Sequence, residues 1–276
     1  MKHALIFAAA LLAPAANAEP LIVDHGRLFI QAKINGIQTE ALLDSGAESS
    51  LIDPVLADKA GLPEGEKVQL KGSGGEQEVR VVSGVRIEAL GLVVPSAEIA
   101  VLDLTDLSTR LIKRPTVAIV GREVFDAAPI RIDLVKAEVR ALTKDEKPSG
   151  IQLPLTEHNG IETVPVTVGK INSQAVLDFG NGSGVLISKE LATQMGLKPV
   201  GKVKGGGFGG EIEREVVVLP ELTLAGHIFR ELQAEIDETS SRAELNIGTP
   251  ILKHFVVTAD YKGRFAWFQP VEGAAN

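Results

Sequence analysis

Two aspartates occupy the same local context 134 residues apart. The first closes the segment Asn35-Gly36-Ile37-Gln38-Thr39-Glu40-Ala41-Leu42-Leu43-Asp44-Ser45-Gly46-Ala47. The second closes Gly169-Lys170-Ile171-Asn172-Ser173-Gln174-Ala175-Val176-Leu177-Asp178-Phe179-Gly180-Asn181. In each, the run before the Asp predicts a strand. The glycine two residues on permits a tight turn that aims backbone N–H groups at the carboxylate. Alone, Asp-x-Gly is a common turn tripeptide that needs no function. Repeated after the same strand, it predicts a pseudo-two-fold that sets Asp44 and Asp178 face to face. Two carboxylates sharing a site cannot both ionise cheaply, so one keeps a proton while the other takes one from a water. Such a pair performs general acid–base hydrolysis with neither a metal nor a covalent intermediate.

The elements that must hold these residues also come in pairs. Apolar stretches follow each Asp (Leu51-Ile52; Val185-Leu186-Ile187) and lead into short helices, with Asp53-Pro54 and Ser188 as N-terminal caps and Gly61 and Gly196 as stops. Lys71-Gly72-Ser73-Gly74-Gly75 then matches Lys204-Gly205-Gly206-Gly207. Later, Ala118-Ile119-Val120-Gly121 pairs with Leu245-Asn246-Ile247-Gly248, and each glycine is followed by an Asp, Asp133 or Asp260, and a final alternating strand. The polar segment 143–150, ending Pro148-Ser149-Gly150, reads as a linker between an N-terminal lobe, 19–142, and a C-terminal lobe, 151–276. Alternating runs such as Leu28-Phe29-Ile30-Gln31-Ala32-Lys33-Ile34 and Val164-Pro165-Val166-Thr167-Val168 make both lobes mostly β, with one or two short helices each.

On these residues the chain resembles the pepsin- and retropepsin-like aspartic proteases. The likeness rests on Ala41-Leu42-Leu43-Asp44-Ser45-Gly46-Ala47 with Ser49-Ser50, on Ile119-Val120-Gly121, on Val176-Leu177-Asp178-Phe179-Gly180-Asn181 and Asn246-Ile247-Gly248, and on the ending Phe255-Val256-Val257-Thr258-Ala259-Asp260-Tyr261. It implies two duplicated β-barrel lobes related by a pseudo-two-fold, and a peptide or protein substrate. Asp44 and Asp178 become the catalytic pair, with no cofactor and no metal. Ser45, Gly46, Ala47 and Phe179, Gly180, Asn181 become the active-site turns, underpinned by the loops at Gly121 and Gly248. Glycine-rich hairpins at Gly72, Ser73, Gly74, Gly75 and at Gly205, Gly206, Gly207, Phe208 take the place of flaps over substrate; read without the resemblance they are equally well mobile hairpin tips. One departure stands out. The family follows its Asp with Thr or Ser, whose hydroxyl bonds across to the partner lobe; Ser45 obeys and Phe179 does not. Half of that grip is therefore expected to be missing. Asn181 stands where a small Ala is frequent.

Composition narrows the remaining choices. Lys plus Arg total 28 against 36 Asp plus Glu, a formal net charge of −8, which argues against nucleic acid as a partner. There is no Cys, so disulfides, thiolate catalysis and iron–sulfur clusters are excluded. The 5 His are scattered without a His-Glu-x-x-His pattern, which argues against catalytic zinc. Gly205-Gly206-Gly207-Phe208-Gly209-Gly210 spells a dinucleotide fingerprint but precedes a strand-like run rather than a helix. Residues 1–18 read as a leader: basic Lys2 and His3, an apolar Ala4 to Leu12, and Ala16-Asn17-Ala18 as a small-x-small cleavage pattern. Cleavage after Ala18 would export the chain, to a bacterial periplasm or beyond, and no later run is long enough to span a membrane. The leading expectation is an exported, monomeric two-lobe endopeptidase. Two others stay open: a non-catalytic peptide-binding protein with a degenerate cleft, and a homodimer in which Asp44 meets Asp44.

Overall fold

The computed structural model describes residues 19–72, 74–158, 160–238 and 243–271. The expected leader and the flap candidate Ser73 lie outside the described residues.

Alternating burial builds two eight-stranded sheets of identical order. In the first lobe the order is Ile22–Asp24, Arg27–Ile34, Ile37–Leu43, Ala118–Val120, Leu51–Ile52, Leu92–Val101, Gly75–Ala89 and Glu66–Gly72. In the second it is Thr156–His158, Ile161–Val168, Ile171–Leu177, Leu245–Ile247, Val185–Ser188, His227–Asp237, Gly210–Leu224 and Gly201–Gly207. An extra pairing closes each sheet on itself, Ala32 opposite Ala89 in one and Thr167 opposite Thr223 in the other. Closure removes the unpaired edges that an open sheet would expose. Each lobe is thus a small barrel, as the resemblance implies.

A six-stranded sheet ties the barrels together. Its order is Glu19–Pro20, Glu138–Ala141, Ile130–Asp133, Phe255–Asp260, Phe265–Pro270 and Ile151–Pro154. The two central strands are equivalent segments of the two halves, paired antiparallel with Ile130 opposite Ala259 and Ile132 opposite Val257. The repeated aspartates that close them hold the following turns: Asp133 Oδ1 accepts from Lys136 N–H at 3.0 Å and Asp260 Oδ1 from Gly263 N–H at 2.7 Å. One continuous apolar cluster, including Leu43, Phe125, Leu177, Phe179, Phe255 and Phe268, runs through both lobes.

The short helices start where the sequence places their caps. Asp53 Oδ1 accepts from Val55 N–H at the head of Pro54–Lys59, and Ser188 Oγ from Leu191 N–H at the head of Lys189–Gln194. Gly61 and Gly196, with φ of +64° and +66°, end them in the left-handed region that glycine tolerates. Arg122–Ala127 and Thr249–Leu252 follow Gly121 and Gly248. The first lobe adds a single-turn π-helix, Leu107–Ile112, beyond the one or two short helices expected of it. It covers a second apolar cluster around Phe29, Leu42, Leu104 and Ile119.

His254 is poised to oppose folding in acid. It packs against the rings of Phe229 and His227, at 5.1 and 5.6 Å, and its Nδ1 is buried without a hydrogen-bond partner. Burial, then repulsion from His227 and Lys253, lowers its pKa. With the folded value below the unfolded one of about 6.5, the unfolded chain binds the proton more readily. Stability is therefore lost as pH falls through about 6.5, and the loss levels off below the folded pKa. Thermal unfolding at about pH 7 and about pH 5 should show His254→Phe losing less stability over that interval than the parent. An equal loss in both would refute this assignment.

Candidate active site

Backbone pairing sets the direction of both aspartates before any side chain acts. Strand Ile37–Leu43 runs parallel to Ala118–Val120, with Leu43 in register with Val120, and Asp44 N–H donates to Val120 O at 2.9 Å. The second lobe repeats this, Leu177 in register with Ile247 and Asp178 N–H donating to Ile247 O at 3.1 Å. The turns then curl back. Gly46 N–H donates to Asp44 Oδ1 and Gly180 N–H to Asp178 Oδ1, each at 2.8 Å. Asn181 N–H adds a second bond to Asp178 Oδ1 at 3.0 Å.

The structure brings the two turns against each other across the lobe boundary. A Cβ added to Gly46 would stand 2.7 Å from Asp178 Cγ, and one on Gly180 would stand 2.3 Å from Asp44 Cγ. Real carbons do not approach so closely, so each carboxylate occupies the space that any other residue would need. Neither glycine is in the positive-φ region, so the requirement is for room rather than backbone freedom. Asp44 thus faces Asp178 of its own chain.

Ser45 supplies the cross-lobe hydroxyl that the resemblance implies, and Phe179 supplies none. Its Oγ donates to Leu177 O at 2.7 Å and accepts from Phe179 N–H at 2.9 Å, both in the other lobe. Phe179 is fully buried and contributes its ring to the shared core instead of a hydroxyl. Ser45 is held in turn by Tyr261, whose OH donates to Ser45 O at 3.0 Å and whose ring stacks on Phe125 at 5.1 Å. Burial pushes the Tyr261 phenol pKa upward, so it remains a donor. Gly121 and Gly248 pack against the turns. A Cβ on Gly121 would lie 2.9 Å from Ala47 O, and one on Gly248 2.3 Å from Asn181 O.

Beneath the turns the lobes use different chemistry. In the first, the Glu123 carboxylate accepts from Ser50 N–H and Ser50 Oγ at 2.8 and 2.7 Å, and Ser50 Oγ accepts from Gly121 N–H at 3.0 Å. In the second, Asn246 Nδ2 donates to Asp178 Oδ2 at 2.6 Å, while Thr249 Oγ1 donates to Gly26 O of the first lobe. Arg27, 6% exposed, packs against Gly182 and donates to His25 O at 3.2 Å. Burial lowers its pKa, while attraction to Asp178 and Asp44 opposes the change and puts its charge within electrostatic reach of the pair. Glu162 is wholly buried between Arg264 and Arg122, the latter donating at 3.2 Å, and burial raises its pKa against their pull.

The flap candidates meet each other at the hairpin tips. Gly74 N–H donates to Phe208 O at 2.8 Å, and a Cβ on Gly72 would lie 2.4 Å from the same oxygen. Gly75 and Gly209 pack backbone to backbone. Arg110, paired with Asp106 at 2.7 Å on the π-helix, donates to Gly207 O at 3.0 Å and to Gly205 O at 3.5 Å. Two cavities of about 580 and 400 Å³ lie elsewhere on the second lobe, share Gln174 and Glu244, and are lined by neither aspartate.

Arg27, Tyr261, Glu123 and Asn246 are not among the candidates that the sequence picks out. Asn246 had a readable signal, being an amide inside an apolar strand where the other repeat has Ile119. Tyr261, the 1 Tyr of the chain, follows a landmark Asp. Arg27 and Glu123 acquire meaning only from the partners that the fold brings them.

A family model described as aspartyl protease matches the chain twice, over residues 30–123 and 164–251, together more than half of its length. No curated protein matches it.

Ser45 and Phe179 should respond differently to substitution. Ser45→Ala removes two buried bonds across the lobe boundary and should lower the unfolding free energy by about 1–3 kcal/mol. Phe179→Ser exchanges a wholly buried ring for a hydroxyl and should cost about 3–5 kcal/mol through the cavity it leaves. Denaturant titration of both variants checks the order, and a Ser45→Ala loss as large as that of Phe179→Ser would contradict it.

Proposed function

The chain belongs to the aspartyl protease family through both of its lobes, and on that premise we propose that it is an exported endopeptidase using Asp44 and Asp178 as its catalytic pair. One observation carries this reading: each carboxylate lies against the glycine of the opposite Asp-x-Gly turn. A water held between the two carboxylates would touch both. The ionised member takes a proton from that water as its oxygen attacks the scissile carbonyl carbon, and the protonated member gives its proton to the carbonyl oxygen. Collapse of the resulting gem-diol breaks the C–N bond: a diol hydroxyl gives its proton to the ionised member while the protonated member gives its own to the departing amine, which leaves the pair singly protonated again. Arg27 sits where its charge favours ionisation of the pair. The paired hairpins, Gly72 to Gly75 and Gly205 to Phe208, act as flaps that part for a peptide and close again.

Export is carried by the leader-like residues 1–18, with cleavage after Ala18. No helix among the described residues is long and apolar enough to cross a membrane. The two lobes supply both carboxylates from one chain, which favours a monomer. Phe179, buried in place of the usual hydroxyl, favours a second reading: a binding protein that kept the cleft without the chemistry.

Turnover of a denatured protein distinguishes the readings. A pair competent only when singly protonated gives a bell-shaped rate profile with an acidic optimum, its limbs belonging to the pair rather than to either Asp. Asp44→Asn and Asp178→Asn should each abolish most turnover, with the double variant little worse than either, and chelators should leave the rate unchanged. Loss in Asp44→Asn alone would establish the first-lobe homodimer instead, and binding of peptide without cleavage would establish the binding protein.

A further inference from the structure

The second lobe lacks the hydroxyl that the first uses beside its aspartate, yet Asp178 is not left loosely held. Asn246 interrupts the apolar strand Leu245–Ile247, paired with Val176 on one side and Leu186 on the other. An amide at such a place costs free energy unless both of its ends find partners. Both do. Asn246 Nδ2 donates to Asp178 Oδ2 at 2.6 Å, and Asn246 Oδ1 accepts from Asn181 Nδ2 at 2.7 Å. Asn181 is fixed in its turn: its Nδ2 also donates to Gly184 O at 3.1 Å, and its Oδ1 accepts from Ser183 N–H at 2.8 Å.

The direction of this chain of bonds is set by the backbone. The Ser183 N–H can only donate and the Gly184 carbonyl can only accept, so the end of Asn181 that meets Asn246 is its amide nitrogen. Asn246 must answer with its oxygen, which turns its own NH₂ onto Asp178. A proton on Asp178 Oδ2 would meet those amide hydrogens head on. The first lobe has Ala47 and Ile119 at the corresponding positions, neither of which carries an amide.

We propose that Asn246, oriented by Asn181, is a positioning residue that holds Asp178 Oδ2 as a hydrogen-bond acceptor and so leaves the proton of the pair on the Asp44 side. The inference rests on the endopeptidase reading and extends it, because it assigns different roles to the two carboxylates: Asp178 takes the proton from water and Asp44 protonates the substrate carbonyl. Asp178 also faces the charge of Arg27, the Asp44 carboxylate and, beneath it, the buried Tyr261 phenol. None of these supplies a directed donor to Oδ2 in the way that Asn246 does.

The test compares Asn246→Leu and Asn181→Ala with the parent, reading turnover of a denatured protein across acid and neutral pH. It also follows the carboxyl carbons of Asp44 and Asp178 by NMR over the same range. Asn246→Leu should lower kcat roughly tenfold to a hundredfold while leaving KM nearly unchanged. It should also move the acid limb of the profile upward by about one pH unit, because ionisation of the pair loses a charge-assisted bond. Asn181→Ala, which frees the Asn246 amide to turn, should shift the limb less but in the same direction, and the double variant should match Asn246→Leu. A limb that stays in place in both variants, with kcat falling only as stability falls, would overturn the proposal and leave Asn246 a packing residue. If Asn246→Leu does not fold, Asn181→Ala decides alone by the same criterion. The NMR titration reads the shift even without cleavage. A parent that fails to cleave therefore refutes the endopeptidase reading, whereas unmoved carboxyl titrations in both variants refute the role of Asn246.

Discussion

The molecule is organised around one distance, that between the carboxylate of each lobe and the backbone of the other. Asp44 and Asp178 approach the opposite turn so closely that a methyl group on Gly46 or Gly180 would displace the carboxylate facing it. Crowding two carboxyl groups into such confinement is unfavourable in itself, even with one proton shared between them, so the stabilisation must come from elsewhere in the fold. The six-stranded sheet fixes the lobes by backbone pairing on one side of the boundary, and the apolar cluster shared by Phe125, Phe179, Phe255 and Phe268 fixes them by burial. The Ser45 hydroxyl then sets the local alignment. Hydrophobic burial supplies most of the attraction, and the few directed bonds decide where the carboxylates end up.

The two lobes meet these demands by unequal means. The first holds its loop through the carboxylate of Glu123 and the hydroxyl of Ser50; the second uses two amides and a threonine. In a symmetric pair of identical chains every side chain would appear twice, and a residue as bulky as Phe179 would have to be accommodated on both sides. A fused chain is free of that obligation. It places a ring on one side and a hydroxyl on the other, and the single Ser45 serves both turns.

Much of this is legible in the sequence alone, because duplication writes every landmark twice. The strand leading to each Asp, the glycines under the turns and the caps at Asp53 and Ser188 all depend on local backbone chemistry, which short stretches of sequence encode. The pairing of Asp44 with Asp178 was legible only through the repeat, since nothing near either residue names its partner. What stayed hidden depends on groups distant in sequence. The Arg110 contact with the second hairpin, the burial of Glu162 between Arg122 and Arg264, and the reach of Asn246 to Asp178 each join residues 40 or more positions apart. The π-helix at Leu107–Ile112 went unread for a related reason: its apolar residues answer to a cluster assembled from distant strands rather than to a helical period of their own.

The sheet that joins the lobes has a consequence for how the site persists when the protein is scarce. Where two separate chains must meet to assemble a pair of carboxylates, the fraction assembled falls with dilution by mass action. Here the second carboxylate arrives on the same chain, tethered by the paired strands Ile130–Asp133 and Phe255–Asp260, so its effective concentration is set by geometry. A single molecule, however far from the next, carries both carboxylates.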